Sequence, residues 1–160
     1  MSAFYVTITN SRGQQIKGDV EQEGREETIR GYAFSNRTTI PRHKDTGQPT
    51  GNRTHHPIVF SKHVDLSSPL LWEAMTRGET LQKVQFDFYM INKNGENERI
   101  YSITLEDAII VEMQSEKADT AQATGTQAED MREQLHFTYR TITWEHHGST
   151  HTTSDSWDKS

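Results

Sequence analysis

The clearest pattern of apolar and polar positions lies in residues 55–91, where a strand, a helix and a second strand follow one another. Ser67 and Ser68 offer N-cap hydroxyls ahead of Pro69, which suits the first helical position because its missing amide proton would be unpaired there anyway. Leu70, Leu71, Ala74 and Met75 then recur at helical spacing and predict one apolar stripe. Gly78, after Arg77, fits the left-handed position that ends a helix, with the cation at the negative end of the dipole. A helix of about three turns needs packing for its stability. Beyond it, Val84, Phe86, Phe88 and Met90 alternate with Lys83, Gln85, Asp87 and Tyr89, a strand with one apolar face.

The same alternation predicts further strands at 4–9, 27–34, 99–105 and 108–113, with turns at Asn10 to Gly13 and Asn92 to Gly95. In the second of these, Ile29, Tyr32 and Phe34 are the core candidates. A last strand over 135–144 puts Leu135, Phe137, Tyr139 and Thr141 on one face and His136, Thr138, Arg140, Ile142 and Trp144 on the other. Three polar stretches interrupt the pattern. Residues 35–54 are rich in turn formers, and a structureless loop that long is either functional or disordered; it is the first segment expected to reach a partner. Residues 114–134 read as a polar, flexible insert, and 145–160 as a polar tail. Together these elements predict one mainly β domain over 1–160, an antiparallel β-barrel or two-sheet sandwich flanked by one short helix.

Composition adds to this picture. Only 31% of residues are hydrophobic and the mean hydropathy is −0.87, low for a compact globule, which points both to long polar loops and to a fold that leaves much surface for water and partners. A net charge of −6 argues against a nucleic-acid partner, which needs a basic stripe. There is no cysteine, which excludes disulfides and thiolate metal sites. No apolar run approaches the roughly 20 residues that span a bilayer, so no membrane partner is expected. The N-terminus lacks the basic and apolar regions of a signal peptide; the expectation is cytoplasmic folding and, for any exit, a route without such a signal.

Candidate chemistry is sparse. His146, His147 and His151, with Asp155 or Asp158 as an oxygen ligand, invite a zinc reading, but no helix or His-Glu-x-x-His spacing frames them. His63 and Asp65 would share a strand face beside His55 and His56, yet no activated nucleophile accompanies them. Gly47 and Gly51 lack the Lys-Ser/Thr of a phosphate loop, and the pairs Glu26-Glu27 and Glu129-Asp130 lie in polar runs. Neither a catalytic constellation nor a cofactor or metal site is expected.

Several landmarks, taken together, resemble Hcp, the haemolysin-coregulated protein family of type VI secretion systems. They are Thr50-Gly51-Asn52-Arg53-Thr54-His55 running into His56-Pro57-Ile58-Val59-Phe60-Ser61-Lys62, then Asp65 and Ser67-Ser68-Pro69-Leu70-Leu71-Trp72-Glu73-Ala74. Gly78-Glu79-Thr80-Leu81, Phe88-Tyr89-Met90-Ile91, and Leu105-Glu106-Asp107-Ala108 follow. Tyr139-Arg140-Thr141-Ile142-Thr143-Trp144 and Asp155-Ser156-Trp157 complete the set, in the family's order.

The resemblance implies a small β-barrel with a flanking helix, assembled as a hexameric ring. Such rings stack into an inner tube, driven from the cell by a contractile sheath beneath a spike protein, and carry effector proteins in their channel. It implies a structural, non-enzymatic role and secretion through the type VI system. The 35–54 stretch matches the family's extended loop, which makes Arg37, Arg42, Lys44 and Arg53 candidate ring-stacking cations. The short segment after Trp144 leaves no expectation of a toxin domain. Two other readings stand beside the tube: a monomeric adaptor that kept the fold, and a metal-dependent effector using the tail histidines.

Overall fold

A computed structural model describes residues 3–117, 119, 121 and 131–157. Among them the chain forms β1 (Ala3–Thr9), β2 (Gln15–Ile16), β3 (Ile29–Gly31), β4 (Ala33–Ser35), β5 (Thr38–Thr39), β6 (Thr54–His55), β7 (Ile58–His63), α1 (Ser68–Thr76) and β8 (Leu81–Ile91). There follow β9 (Asn97–Lys117), β10 (Met131–Thr138), β11 (Thr141–His146) and β12 (His151–Ser156). All of the strand pairings are antiparallel. The main path runs β2-β1-β8-β9-β10-β7-β4 and does not close on itself. The β-rich class predicted from the alternation holds, but the barrel is open: two layers face each other and are joined along one edge.

β9 is the joint. Its first half pairs with β8 from Asn97 to Ala108 and with β11 on its other edge, and from Ile109 onward it pairs with β10 instead. Asp107, at φ 51°, marks the bend where the strand passes from one layer to the other. The strands expected at 99–105 and 108–113 are therefore one continuous element. The 114–134 stretch is also reassigned in part. Residues 114–117 and 131–134 extend the β9–β10 ladder, with Gln114 opposite Gln134 and Lys117 opposite Met131. The rest of that expected insert lies outside the described residues, apart from Asp119 and Ala121.

The core lies between the layers and is largely aromatic. Phe86 of β8 meets Phe34, Phe60 and Phe137 at centroid distances of 5.0, 5.5 and 6.4 Å, all edge-on, the favoured geometry for rings whose faces are electron-rich. Phe4 packs on Phe34 and Phe88 at one end. Gly31 lies opposite Phe4 in the β1–β3 ladder, and a Cβ there would sit 1.9 Å from the Phe4 ring. Only glycine lets β3 pass that ring.

The 27–34 strand is broken. Its halves join different layers, β3 to β1 and β4 to β7, and Tyr32 between them is 51% exposed rather than in the core. The 135–144 strand also breaks, at Tyr139 and Arg140. The break flips the alternation, so that Leu135, Phe137 and Tyr139 are buried but so is Ile142. Met90, expected inside, is exposed at the end of β8.

The helix starts and ends where the sequence places it, with Pro69 in the first turn and Gly78 at φ 63°. The capping differs. Ser67 occupies the N-cap without a side-chain cap bond; its hydroxyl and amide both donate to Asp65 Oδ1. Ser68 faces inward, which turns Leu71 and Ala74 to the core and leaves Leu70 exposed. The predicted stripe is thus narrower by one residue.

Beneath the helix start lies a buried charge cluster. In the β7–β10 ladder Glu133 is directly opposite Lys62, and both side chains point into the interior. Lys62 Nζ donates to Glu133 Oε1 at 2.7 Å and to Ser68 Oγ at 3.0 Å, and lies 3.1 Å from Asp65. Trp72 Nε1 donates to the second Glu133 oxygen at 2.9 Å. Each charge is matched and hydrogen-bonded, the condition under which an interior ion pair persists.

Candidate functional site

The 35–54 stretch is a β-hairpin arm rather than a structureless loop. Its pairing continues that of β4 and β7: Ser35 faces Val59, His56 N–H donates to the Arg37 carbonyl, and Thr38 and Thr39 pair with His55 and Thr54. Further out, Thr50 N–H donates to the Pro41 carbonyl and Arg42 bridges to Pro49. The tip closes with His43 N–H donating to Gln48 and Gly47 N–H to His43, at a glycine with φ 75°. Every residue from 37 to 52 is exposed. Backbone pairing orders the arm, while its side chains stay exposed.

A compact cluster holds the base of the arm to the C-terminal hairpin β11–β12. Arg53 donates to both Asp155 oxygens, from Nε at 2.5 Å and Nη2 at 2.6 Å, the two-pronged geometry that fits a guanidinium to a carboxylate. His55, buried to 3% exposure, places Nε2 2.8 Å from Asp155 and Nδ1 2.9 Å from the Tyr139 hydroxyl. A carboxylate only accepts, so Nε2 carries a proton; Nδ1 lies within hydrogen-bond reach of the Tyr139 hydroxyl and, at 3.2 Å, of the Thr38 hydroxyl. Trp157 stacks on His55 and meets Tyr139 edge-on at 4.9 Å. From the other side, Trp144 Nε1 donates to Asn36 Oδ1 at 2.9 Å, fixing the residue where the arm leaves the sheet.

The electrostatics describe a clamp. The Arg53 guanidinium, then the His55 ring, hold the Asp155 carboxyl well below the usual carboxylate range, against the opposing effect of burial. Asp155 in turn raises the Arg53 guanidinium further. Burial, helped by the Asp155 charge, pushes the Tyr139 hydroxyl up to about 12. Asp155, His55 and Tyr139 line up like an acid–base relay, but the phenol at its end is buried and held neutral, and donors and acceptors satisfy one another. Such an arrangement orients two segments and activates neither.

The other candidates are scattered. Arg37 Nη2 lies 3.5 Å from His56 Nε2 at the arm base, and Arg42 and Lys44 stand at the outer end without an ion pair to any described residue. Arg53, by contrast, is committed to Asp155. The expected polar tail is in fact β12, paired with β11, with His146 opposite His151. His146 contacts Ser149, while His147 turns to Ser102 at 2.8 Å. Among the described residues no three His, Cys, Asp or Glu side chains are grouped to hold a metal; Asp158 lies outside them. His63 and Asp65 line the same surface cavity, although β7 ends at His63; the His63 ring stacks on Tyr32 at 4.1 Å, and Asp65 turns to Lys62 and Ser67.

Fold and site together define an open, antiparallel two-layer scaffold that presents a clamped arm. The family described as "Type VI secretion system effector, Hcp" matches residues 5–146. The "Major exported protein" of Pseudomonas aeruginosa is 42% identical over 143 residues, 88% of this chain and 81% of that protein. A mutant of Hcp1 from the E. coli EAEC 042 pathovar superposes with a TM-score of 0.87 at 31% identity, covering 97% of this chain and 98% of that one. The secreted protein Hcp3 from Pseudomonas aeruginosa gives 0.81 at 32% identity, over 99% and 100%. The chain belongs to the Hcp family of type VI secretion system proteins.

Proposed function

We propose that copies of this chain close into six-membered rings, and that the rings stack into the inner tube of a type VI secretion system. The tube is driven out by a contractile sheath beneath a spike protein, and its channel carries effector proteins. The chain leaves the cell by that route and acts as a building block, not an enzyme. Family membership supplies this reading. The observation that carries it is the arm: sixteen consecutive residues, 37–52, ordered by backbone pairing and all exposed, whose side chains would gain burial against another molecule.

A ring requires a heterologous contact, one patch docking a different patch on the neighbour. Met90 and Ile91 at the end of β8, and Ile109 and Val111 on the outer face of β9, are exposed apolar side chains available for it. Arg37, Arg42, Lys44 and Arg53 are assigned to stacking in two roles: the first three meet acidic groups on the next ring, and Arg53 sets the arm's direction through Asp155.

Light scattering after size exclusion tests the ring: a mass near six times 18.4 kDa supports it, and a monomer removes it in favour of an adaptor. Replacing 35–54 by a short Gly-Ser linker tests the arm. Rings of unchanged mass with few tubes in negative-stain images are expected; normal tubes would move the arm's role elsewhere.

A further inference from the structure

Three segments converge on a cavity of about 440 Å³, a volume that suits a small-molecule ligand. The first is the connection between β2 and β3. Gly18 N–H donates to the Glu27 carbonyl, Glu27 N–H to Val20 and Val20 N–H to Thr28, so this segment folds back beside β3. A Cβ at Gly18 would run into the Thr28 carbonyl oxygen, so the two runs close this tightly only with glycine there. The second segment is β3, where Arg30 stands opposite Tyr5 in the ladder. The Tyr5 hydroxyl donates to Gln22 and ties the connection down. The third is the end of β7, where His63 stacks on Tyr32 with the ring planes 12° apart. That ring pair, with the half-exposed Val64 beside it, gives the cavity an aromatic and apolar wall.

The charges around this cavity do not neutralise one another. Asp65 is taken up by Lys62 and Ser67. Asp19 and Glu21, by contrast, make no ion pair with a described residue. Arg30 makes none either; its guanidinium lies over the Tyr32 ring at 5.3 Å. Charges of both signs therefore line one cavity without meeting, which leaves room for a ligand that carries both in the opposite sense. We propose that the cavity binds a small zwitterion, a free α-amino acid with an aromatic side chain. Its ammonium group pairs with Asp19 and Glu21, and its carboxylate takes the N–H groups of Arg30. Its ring lies against the Tyr32–His63 pair and Val64. A ligand with one charge serves the site badly. A simple acid meets the repulsion of Asp19 and Glu21, and a simple amine leaves Arg30 unanswered. Every group comes from one chain, so the site does not depend on ring formation and goes beyond the tube reading.

Ligand-observed NMR titration of the full-length protein tests this, with L-phenylalanine as the probe. Three analogues each lack one feature: phenethylamine the carboxylate, hydrocinnamate the ammonium and free glycine the ring. L-phenylalanine is expected to bind with a Kd on the order of 1 mM, ordinary for so few atoms, and each analogue roughly ten-fold more weakly. Two variants then assign the charges. Arg30→Gln should erase the preference for L-phenylalanine over phenethylamine and keep that over hydrocinnamate. Asp19→Asn with Glu21→Gln should do the reverse. All three side chains are exposed, so thermal unfolding of both variants should match the wild type. The analogue series on the wild type needs no variant. No detectable L-phenylalanine binding at about 10 mM, equal binding of the three aromatic ligands, or unaltered preferences in both variants would each overturn the site. None of these results touches the tube reading, which light scattering tests separately.

Discussion

His55 and Asp155 stand one hundred positions apart in the chain and 2.8 Å apart in space, joined by a hydrogen bond from Nε2 to the carboxylate. The contact ties the return strand of the arm to the C-terminal hairpin. The direction of the most exposed segment is therefore set by residues at the far end of the sequence.

Asp155→Asn keeps the shape of that junction and removes its charge. Arg53 loses its ion pair, and His55 faces an amide that no longer only accepts. We expect faster amide exchange confined to residues 37–55 and the C-terminal hairpin, a lower Tm, and an unchanged core. Hydrogen exchange read by mass spectrometry checks it; uniform acceleration across β8 and β9 would contradict a local clamp.

The same carboxylate predicts an acid-sensitive step. Its native pKa lies below the ordinary 3.8 because Arg53 and His55 donate to the ionised form. Its stabilisation is therefore complete above 3.8, declines as pH falls below that value, and is gone once pH drops beneath the native one. Thermal unfolding followed from about pH 5 to pH 2 should show a steeper loss for the wild type than for Asp155→Asn. At the alkaline end the sign reverses. Tyr139 ionises near 12 rather than the ordinary 10.0, so its share is full below 10.0 and disappears as pH rises through about 12, visible as late phenolate absorbance that Tyr139→Phe removes.

The interior pair Lys62–Glu133 should be costly to break from one side. Lys62→Met leaves Glu133 buried with only Ser68 and Trp72 as donors, and a loss of about 3–5 kcal/mol is expected in urea unfolding. Adding Glu133→Gln removes the stranded charge and should recover a large part. Equal instability of the single and double variants would show that packing, not charge, holds this corner.

Phe86→Ala removes the ring that three other aromatics meet edge-on, from a site with no solvent exposure. A loss of about 3–5 kcal/mol is expected, with the calorimetric transition still cooperative.

Gly31→Ala drives a methyl into the Phe4 ring. A cost of about 1–3 kcal/mol is expected, reduced when Phe4→Leu makes room. No rescue by Phe4→Leu would place the strain elsewhere.

Much of this was legible in the residues themselves. The period-two runs at 83–90 and 4–9, the Pro69 start and the Gly78 stop of the helix all appear where the sequence puts them, because each is written in contacts between near neighbours. The landmark residues carried the family. Less visible were long-range matters. The inward charges had a signal: Ile58, Phe60 and Lys62 alternate on one strand as Glu133, Leu135 and Phe137 do on another, so a charged residue stands at an apolar position in both. What spacing alone does not encode is that these two positions lie opposite one another. The clamp is subtler. Arg53 reads as a cation of the 35–54 loop, His55 as a polar residue before a strand and Tyr139 as part of one strand face, until β12 brings Asp155 and Trp157 to them; β12 itself has too few apolar residues to announce a strand. The break at Arg140 escaped for a related reason: apolar character continues through it while the exposed face changes sides.

β9 carries one further consequence. Because a single strand threads both layers, neither can slide or swing relative to the other without stretching covalent backbone or stripping a ladder of hydrogen bonds from β8, β10 or β11. A push applied to one face of the protomer is thus passed to the other as tension and shear along a continuous chain. The molecule transmits load as a rigid strut.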